Sequence, residues 1–226
     1  MSLEFPRIAV ADIIGEASSL VGARAPSFLI AAVAYAAFST WADDPEWSWT
    51  VQLVLLTTAI LFQGLLQYIL FRRAYGDAGG GWSAAAFAPL IAITLQLLIW
   101  IVAGLGYVLL LLPGLYLAGR LSAAIGMASV ERTGLIESMT GSWRRTRRCA
   151  WPLVIVQGIL LLPFVALSVA IIAATYANDG VEYSSIEFRV LTNLAMAVMA
   201  MAGWAVAGAV FRLTVPQLHD PEDIFG

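Results

Sequence analysis

Long apolar runs alternate along the chain with short polar breaks, at about 26–41, 49–71, 87–112, 115–131, 151–176 and 188–211. A helix rises about 1.5 Å per residue and needs about 20 apolar residues to cross the hydrocarbon of a bilayer, so the pattern predicts about six membrane-spanning helices. The segment 115–131 is the short one; at roughly 25 Å it is a marginal crossing. Two further segments are amphipathic rather than uniformly apolar. In 11–24, Ile13, Ile14, Ala17, Leu20 and Val21 share one face at helical spacing, with Asp12 placed as an N-cap. In 135–148, Ile136, Met139, Thr140 and Trp143 form an apolar, membrane-facing seam and four arginines crowd the end. Both read as helices lying at the membrane interface.

The breaks carry their own signals. Pro26 suits the first turn of the first span. Trp41-Ala-Asp-Asp-Pro-Glu-Trp47-Ser-Trp49 is an acidic turn with three tryptophans, a composition suited to the headgroup layer. Arg72 and Arg73 close the second span, and Gly76–Gly81 is a flexible connector that lacks the Lys and Ser/Thr of a phosphate loop. Pro113-Gly114 is expected to end the third span. Asn178-Asp-Gly-Val-Glu182 is a second acidic turn. A surface helix, a proline and a helical hairpin occur twice, which hints weakly at a parallel repeat.

Charge fixes the orientation. The chain has 12 basic residues, all of them arginine, against 15 acidic ones. With six crossings, ten of the 12 fall on one side, which the positive-inside rule makes cytoplasmic together with both termini. Parity also decides the short fourth segment: were it re-entrant, Arg144, Arg145, Arg147 and Arg148 would lie outside. The expected architecture is therefore an all-α integral membrane protein, a single polytopic domain over 1–226, with two interfacial helices. At 61% hydrophobic and 12% charged, with a mean hydropathy of +0.85, the chain is too apolar for a soluble bundle. No cleaved signal peptide is expected at its start, which lacks a basic stretch followed by an apolar one.

Candidate chemistry is sparse. One His and one Cys exclude the common metal-ligand sets, and His219 sits on a tail with no nucleophile beside it. No Asp or Glu falls mid-span, so a carboxylate proton relay is lacking. Cys149 reads as a passive interfacial thiol. Gln63, Gln67, Gln96, Gln157 and Asn193 lie within spans, where amides hydrogen-bond between helices. Arg120 lies inside the fourth segment. It is a candidate for facing a cavity or an anionic ligand, but its nearness to the Pro113 break favours snorkelling to the outer interface. The run Trp143-Arg-Arg-Thr-Arg-Arg148 is the sharpest local signal, suited to anionic headgroups or to setting topology; an acidic chain with its basic patch against a bilayer argues against nucleic acid.

The stretch Leu112-Pro-Gly-Leu-Tyr-Leu-Ala-Gly-Arg120, with Glu131 and Ile136-Glu-Ser-Met-Thr-Gly-Ser-Trp-Arg-Arg-Thr, resembles the pattern of YciC-type inner-membrane proteins. It is similar also to the membrane domain of glycerophosphoryl diester phosphodiesterases. The detailed likeness covers about forty residues. The resemblance implies a bacterial inner-membrane protein of about six helices, with Pro113, Gly114, Arg120, Glu131, Ser142, Trp143 and Arg144 as pattern positions, and it implies no catalysis.

The expected function is thus non-enzymatic and without cofactor or metal: a lipid-contacting binding or accessory module. Its contacts would be anionic headgroups on the cytoplasmic side, through Arg120, Arg144, Arg145, Arg147 and Arg148. Two alternatives are a subunit of a larger membrane complex, with a protein partner or a second copy, and a small passive transporter or channel.

Overall fold

The computed structural model describes residues 8–44, 46–76, 82–177 and 185–215. The start of the chain, residues 77–81 of the glycine-rich connector, the acidic stretch 178–182 and the tail bearing His219 lie outside the described residues. The fold is all-α. Helix α1 (Val10–Ala23) precedes α2 (Ala25–Ala42), α3 (Trp49–Tyr75) and α4 (Trp82–Leu109). Then come α5 (Leu111–Leu121), the short α6 (Ala124–Gly126), a π-helical turn (Met127–Glu131), α7 (Leu135–Arg145) and a 3-10 turn (Thr146–Cys149). Helices α8 (Ala150–Ala177) and α9 (Ile186–Thr214) complete the chain.

Five segments among the described residues are long and apolar enough to cross a membrane: Ala25–Ala42, Trp49–Tyr75, Phe87–Gly106, Leu111–Glu131 and Ile186–Thr214. Their outward faces carry Leu29, Ile30, Val54, Leu105 and Leu191, all well exposed. So wide an apolar exterior is costly in water and favourable in lipid. This is a multi-pass membrane protein. The interior is built from small side chains instead, with Ala31, Ala92, Ala124, Ala128, Ala197 and Ala209 all buried. Lipid offers no hydrophobic drive for helices to associate, so close backbone approach and dispersion must do it.

Several helix ends follow from local chemistry. Ser48 and Ser185 cap α3 and α9, accepting from the backbone N–H of Val51 (3.4 Å) and Phe188 (3.2 Å). Arg72 and Arg73 occupy the last turn of α3, where cations offset the helix dipole, and Gly76 beyond it takes the positive φ of 73°. Helix α1 departs from expectation. It begins at Val10, so Asp12 stands in its first turn and its carboxylate reaches back to accept from Ala9 N–H at 2.8 Å. Ile13 and Ala17 press α1 onto the core beside α9, and Glu16 pairs with Arg212 at 2.6 Å.

The two ends of the bundle are chemically distinct. At one, Asp44 accepts from Glu46 N–H and pairs with Arg189 at 3.3 Å, and both contacts hold its carboxyl below the usual range, the backbone bond most. Arg189 also donates to the Asp43 carbonyl, so the acidic turn and the start of α9 are tied together. At the other end lie Arg24, Arg72, Arg73, Arg212 and the whole of α7. Midway, Gln63 Oε1 accepts from Gln96 Nε2 (3.3 Å) and Trp100 Nε1 (3.0 Å), joining α3 to α4 as expected of intramembrane amides. Asn193 does not bridge helices. It donates to the Arg189 carbonyl one turn back on its own helix.

The fourth apolar segment is where sequence and structure differ most. The break after α4 falls at Leu110, which is extended, rather than at Pro113-Gly114. Pro113 sits in the first turn of α5, where a missing N–H costs nothing. The segment is also not one helix, since it is interrupted at Ser122-Ala123 and widens to π geometry at Met127–Glu131. It is the most enclosed of the five, packed by α3, α4, α7, α8 and α9.

Candidate functional site

The break in the fourth segment creates the site. Because α5 stops at Leu121, its last carbonyls lack intrahelical partners. The Arg120 carbonyl is satisfied from another element: it accepts from Ser142 Oγ at 2.8 Å and Thr146 Oγ1 at 3.1 Å. Both donors are fully buried. They belong to the inward stripe of α7 and its 3-10 extension, Ser138, Gly141, Ser142, Thr146 and Cys149, at helical spacing. The helix therefore binds the protein by its small polar side and turns Ile136, Thr140 and Trp143 outward, whereas Met139, expected in the same seam, packs against the core. The same stripe could have been read from the sequence as Ser, Gly, Ser, Thr and Cys recurring every three or four residues, a face that permits close contact.

The π turn aims a carboxylate at this helix. It ends in Arg132 at φ 57°, a left-handed conformation uncommon outside glycine, which reverses the chain into α7. Glu131 then meets Arg145 in a bidentate ion pair of 2.7 and 2.8 Å. Thr133 and Ser138 hydroxyls, 2.6 Å apart, fasten the turn. The carboxylate thus pairs with Arg145 of the four arginines in this run.

Arg120 does not snorkel outward. Its residue is 3% exposed, and its guanidinium carbon lies 4.3 Å from the centroid of the Trp143 ring and 5.8 Å from that of Tyr116. Tyr116 and Trp143 meet edge to face, 5.9 Å apart. Trp143 is 40% exposed and so covers the guanidinium from outside. Helix α5 runs from its break towards α7, which carries Arg120 away from the interface near Pro113. No carboxylate among the described residues pairs with Arg120, and its Nε has no hydrogen-bond partner. Cation–π contacts are worth about 0.5–2 kcal/mol each. The effective penalty for burying an ion is several kcal/mol. The aromatic pair alone does not balance this charge.

The other predicted arginines separate by exposure. Arg144, Arg147 and Arg148 are exposed at the arginine-rich end, while Arg145 is committed to Glu131. Of the motif residues, Gly114 packs against α4, where a Cβ on Gly106 would lie 2.8 Å from the Gly114 Cα. Pro113, Gly114, Arg120, Glu131, Ser142 and Trp143 all contribute to the junction between the fourth segment and α7 or to the hairpin that leads into it. Gln67 Oε1 is another of several buried polar atoms without a hydrogen-bond partner, beside a small apolar pocket lined by Leu20, Phe28, Leu70 and Trp204. Among the described residues, no group of His, Cys, Asp and Glu is placed to hold a metal ion.

Cys149 closes the inward stripe, donating to the Thr146 carbonyl at 3.5 Å. Burial pushes its thiol up from 9.0 to about 11, against the pull of the Arg120 charge. As pH rises, an unfolded chain loses this proton first, so the thiol opposes folding from its ordinary pKa upward to about 11. A buried thiol with so little thiolate is expected to react with maleimide at neutral pH at least about a hundredfold more slowly than an exposed one. A labelling time course in detergent checks this, and alkylation at the rate of a free thiol peptide would refute the burial.

Comparison with protein-family models, with curated proteins and with solved structures gives no match to this chain.

Proposed function

We propose that the protein is a non-enzymatic inner-membrane protein of the YciC-like kind, acting as a lipid-contacting binding or accessory module. The observation that carries this reading is the presentation of α7. Its small polar side is pinned to the bundle, while Trp143, Arg144, Arg147 and Arg148 are displayed at the arginine-rich end. An apolar seam beside exposed arginines suits a helix lying at the depth of headgroups. Helix α8, 28 residues without a charge, supplies a sixth crossing beside the five. Six crossings put both termini and the arginine-rich end on the cytoplasmic side. The resemblance behind the bacterial inner-membrane assignment rests on the residues quoted above.

Arginines near an anionic surface contribute about 1 kcal/mol each, so removing three should reduce affinity for anionic lipid by up to about a hundredfold. The variant Arg144→Gln/Arg147→Gln/Arg148→Gln leaves Arg145 to hold the fold. Intact mass analysis after nanodisc extraction is expected to show loss of the enrichment of anionic over zwitterionic lipid. An enrichment equal to that of the unaltered protein would reject the reading.

A further inference from the structure

We propose that Arg120 is the anchor of a single phosphate-binding site roofed by Trp143, filled by a phosphate group from a lipid headgroup or by free phosphate. The inference deepens the lipid-contacting reading and rests on it, replacing diffuse attraction to a surface with one stoichiometric site.

Three observations converge. Arg120 is almost completely buried and its Nε lacks a hydrogen-bond partner, so at least one in-plane donor of the guanidinium is left unused. Its described neighbours offer π faces, from Trp143 and Tyr116, which attract the charge but accept no strong hydrogen bond in the plane of the fork. Exposed Arg144 directly follows Trp143 on α7 and sets a second positive charge beside the indole. A ligand that answers all of this must be anionic, carry several acceptor oxygens and neutralise more than one cation. Phosphate does so, and arginine recognises it with paired N–H donors.

The backbone favours a fixed site over a mobile one. Ser142 and Thr146 clamp the carbonyl of the same residue whose Nε has no hydrogen-bond partner, and Trp143 adjoins Ser142 on α7. The guanidinium and its cover are therefore held by a single junction. The half-exposed indole marks the side from which a headgroup would enter, adjacent to exposed Arg144 and Arg147.

The test uses the full chain in nanodiscs of phosphatidylcholine, alone or doped with phosphatidic acid, read by intact mass. One retained phosphatidic acid per protein is expected. Arg120→Gln should weaken its retention by about tenfold or more, while Arg189→Gln, at the opposite end of the bundle, keeps it. Equal retention in Arg120→Gln and the unaltered protein overturns the site, even where the triple-arginine variant has lost its general enrichment and the broader reading stands.

A variant that fails to fold is bypassed by a second measurement on the unaltered protein: modification of Arg120 by phenylglyoxal, mapped by peptide mass. Phosphatidic acid is expected to slow it by roughly tenfold relative to phosphatidylcholine alone. If inorganic phosphate added to phosphatidylcholine nanodiscs protects equally, the phosphate itself is the ligand; if only phosphatidic acid protects, the ligand is the lipid headgroup. No protection by either, or no modification under any condition, makes Arg120 a structural pin only and overturns the proposal.

Discussion

Arg145→Ala should be the most damaging single removal of charge, lowering stability by about 2–4 kcal/mol. Breaking one side of a buried pair costs about 3–5 kcal/mol because the remaining ion is stranded. The lower figure reflects the residual exposure of both side chains, 15% for Arg145 and 23% for Glu131. Two arginines in the same run provide controls of equal charge. Arg144→Ala and Arg147→Ala should each stay within about 1 kcal/mol, as exposed charges do. Thermal unfolding in detergent distinguishes the cases, and a Glu131→Ala/Arg145→Ala cycle should recover part of the loss, since neither ion is then left unpaired. Equal midpoints for Arg144→Ala and Arg145→Ala would remove the ion pair from the account.

Gly106→Ala is expected to be the most damaging addition of a single methyl group. Its Cβ would stand 2.8 Å from the Cα of Gly114 and 2.9 Å from its nitrogen. Both are backbone atoms, so no side-chain rotation relieves the collision and α4 must separate from α5. Overpacking of this kind costs about 1–3 kcal/mol and sometimes more. Gly104, two residues earlier on the same helix, has open space around it. Gly104→Ala should be neutral or stabilising by up to about 1 kcal/mol, because alanine is the better helix former. A midpoint for Gly106→Ala no lower than that of Gly104→Ala would contradict the close crossing. The effect would travel beyond the hairpin, because α5 also presents the Arg120 carbonyl to Ser142 and Thr146.

These two results would explain much of the pattern that the sequence displays without explaining. Pro113-Gly114 is followed at fixed distances by Arg120, Glu131 and the Ser-Trp-Arg run, and the structure brings them to one junction. Gly114 lets α5 approach α4, Glu131 fixes α7 through Arg145, and Ser142 binds the end of α5. Trp143 covers Arg120. None of these pairings lies within a helical turn of its partner in the chain. Ser142 and Thr146 are 22 and 26 positions from the carbonyl that they satisfy. Helical periodicity reports which residues share a face of one helix, but not which face of another helix they meet.

The sequence alone was sufficient for the class of this protein and for the approximate places of most of its helices. Those properties depend on runs of apolar residues and on local caps, which act over one or a few turns. Only the tertiary structure decided that the fourth segment is broken and enclosed, that α7 is held by its polar stripe, that Arg145 rather than Arg144 is paired, and that Arg120 lies beneath Trp143. The reason is physical: in lipid every helix can be apolar all round, so hydrophobicity no longer marks the inward face. What marks it instead is close fit between small residues and the pairing of orphaned carbonyls and charges. Both depend on elements far apart in the chain.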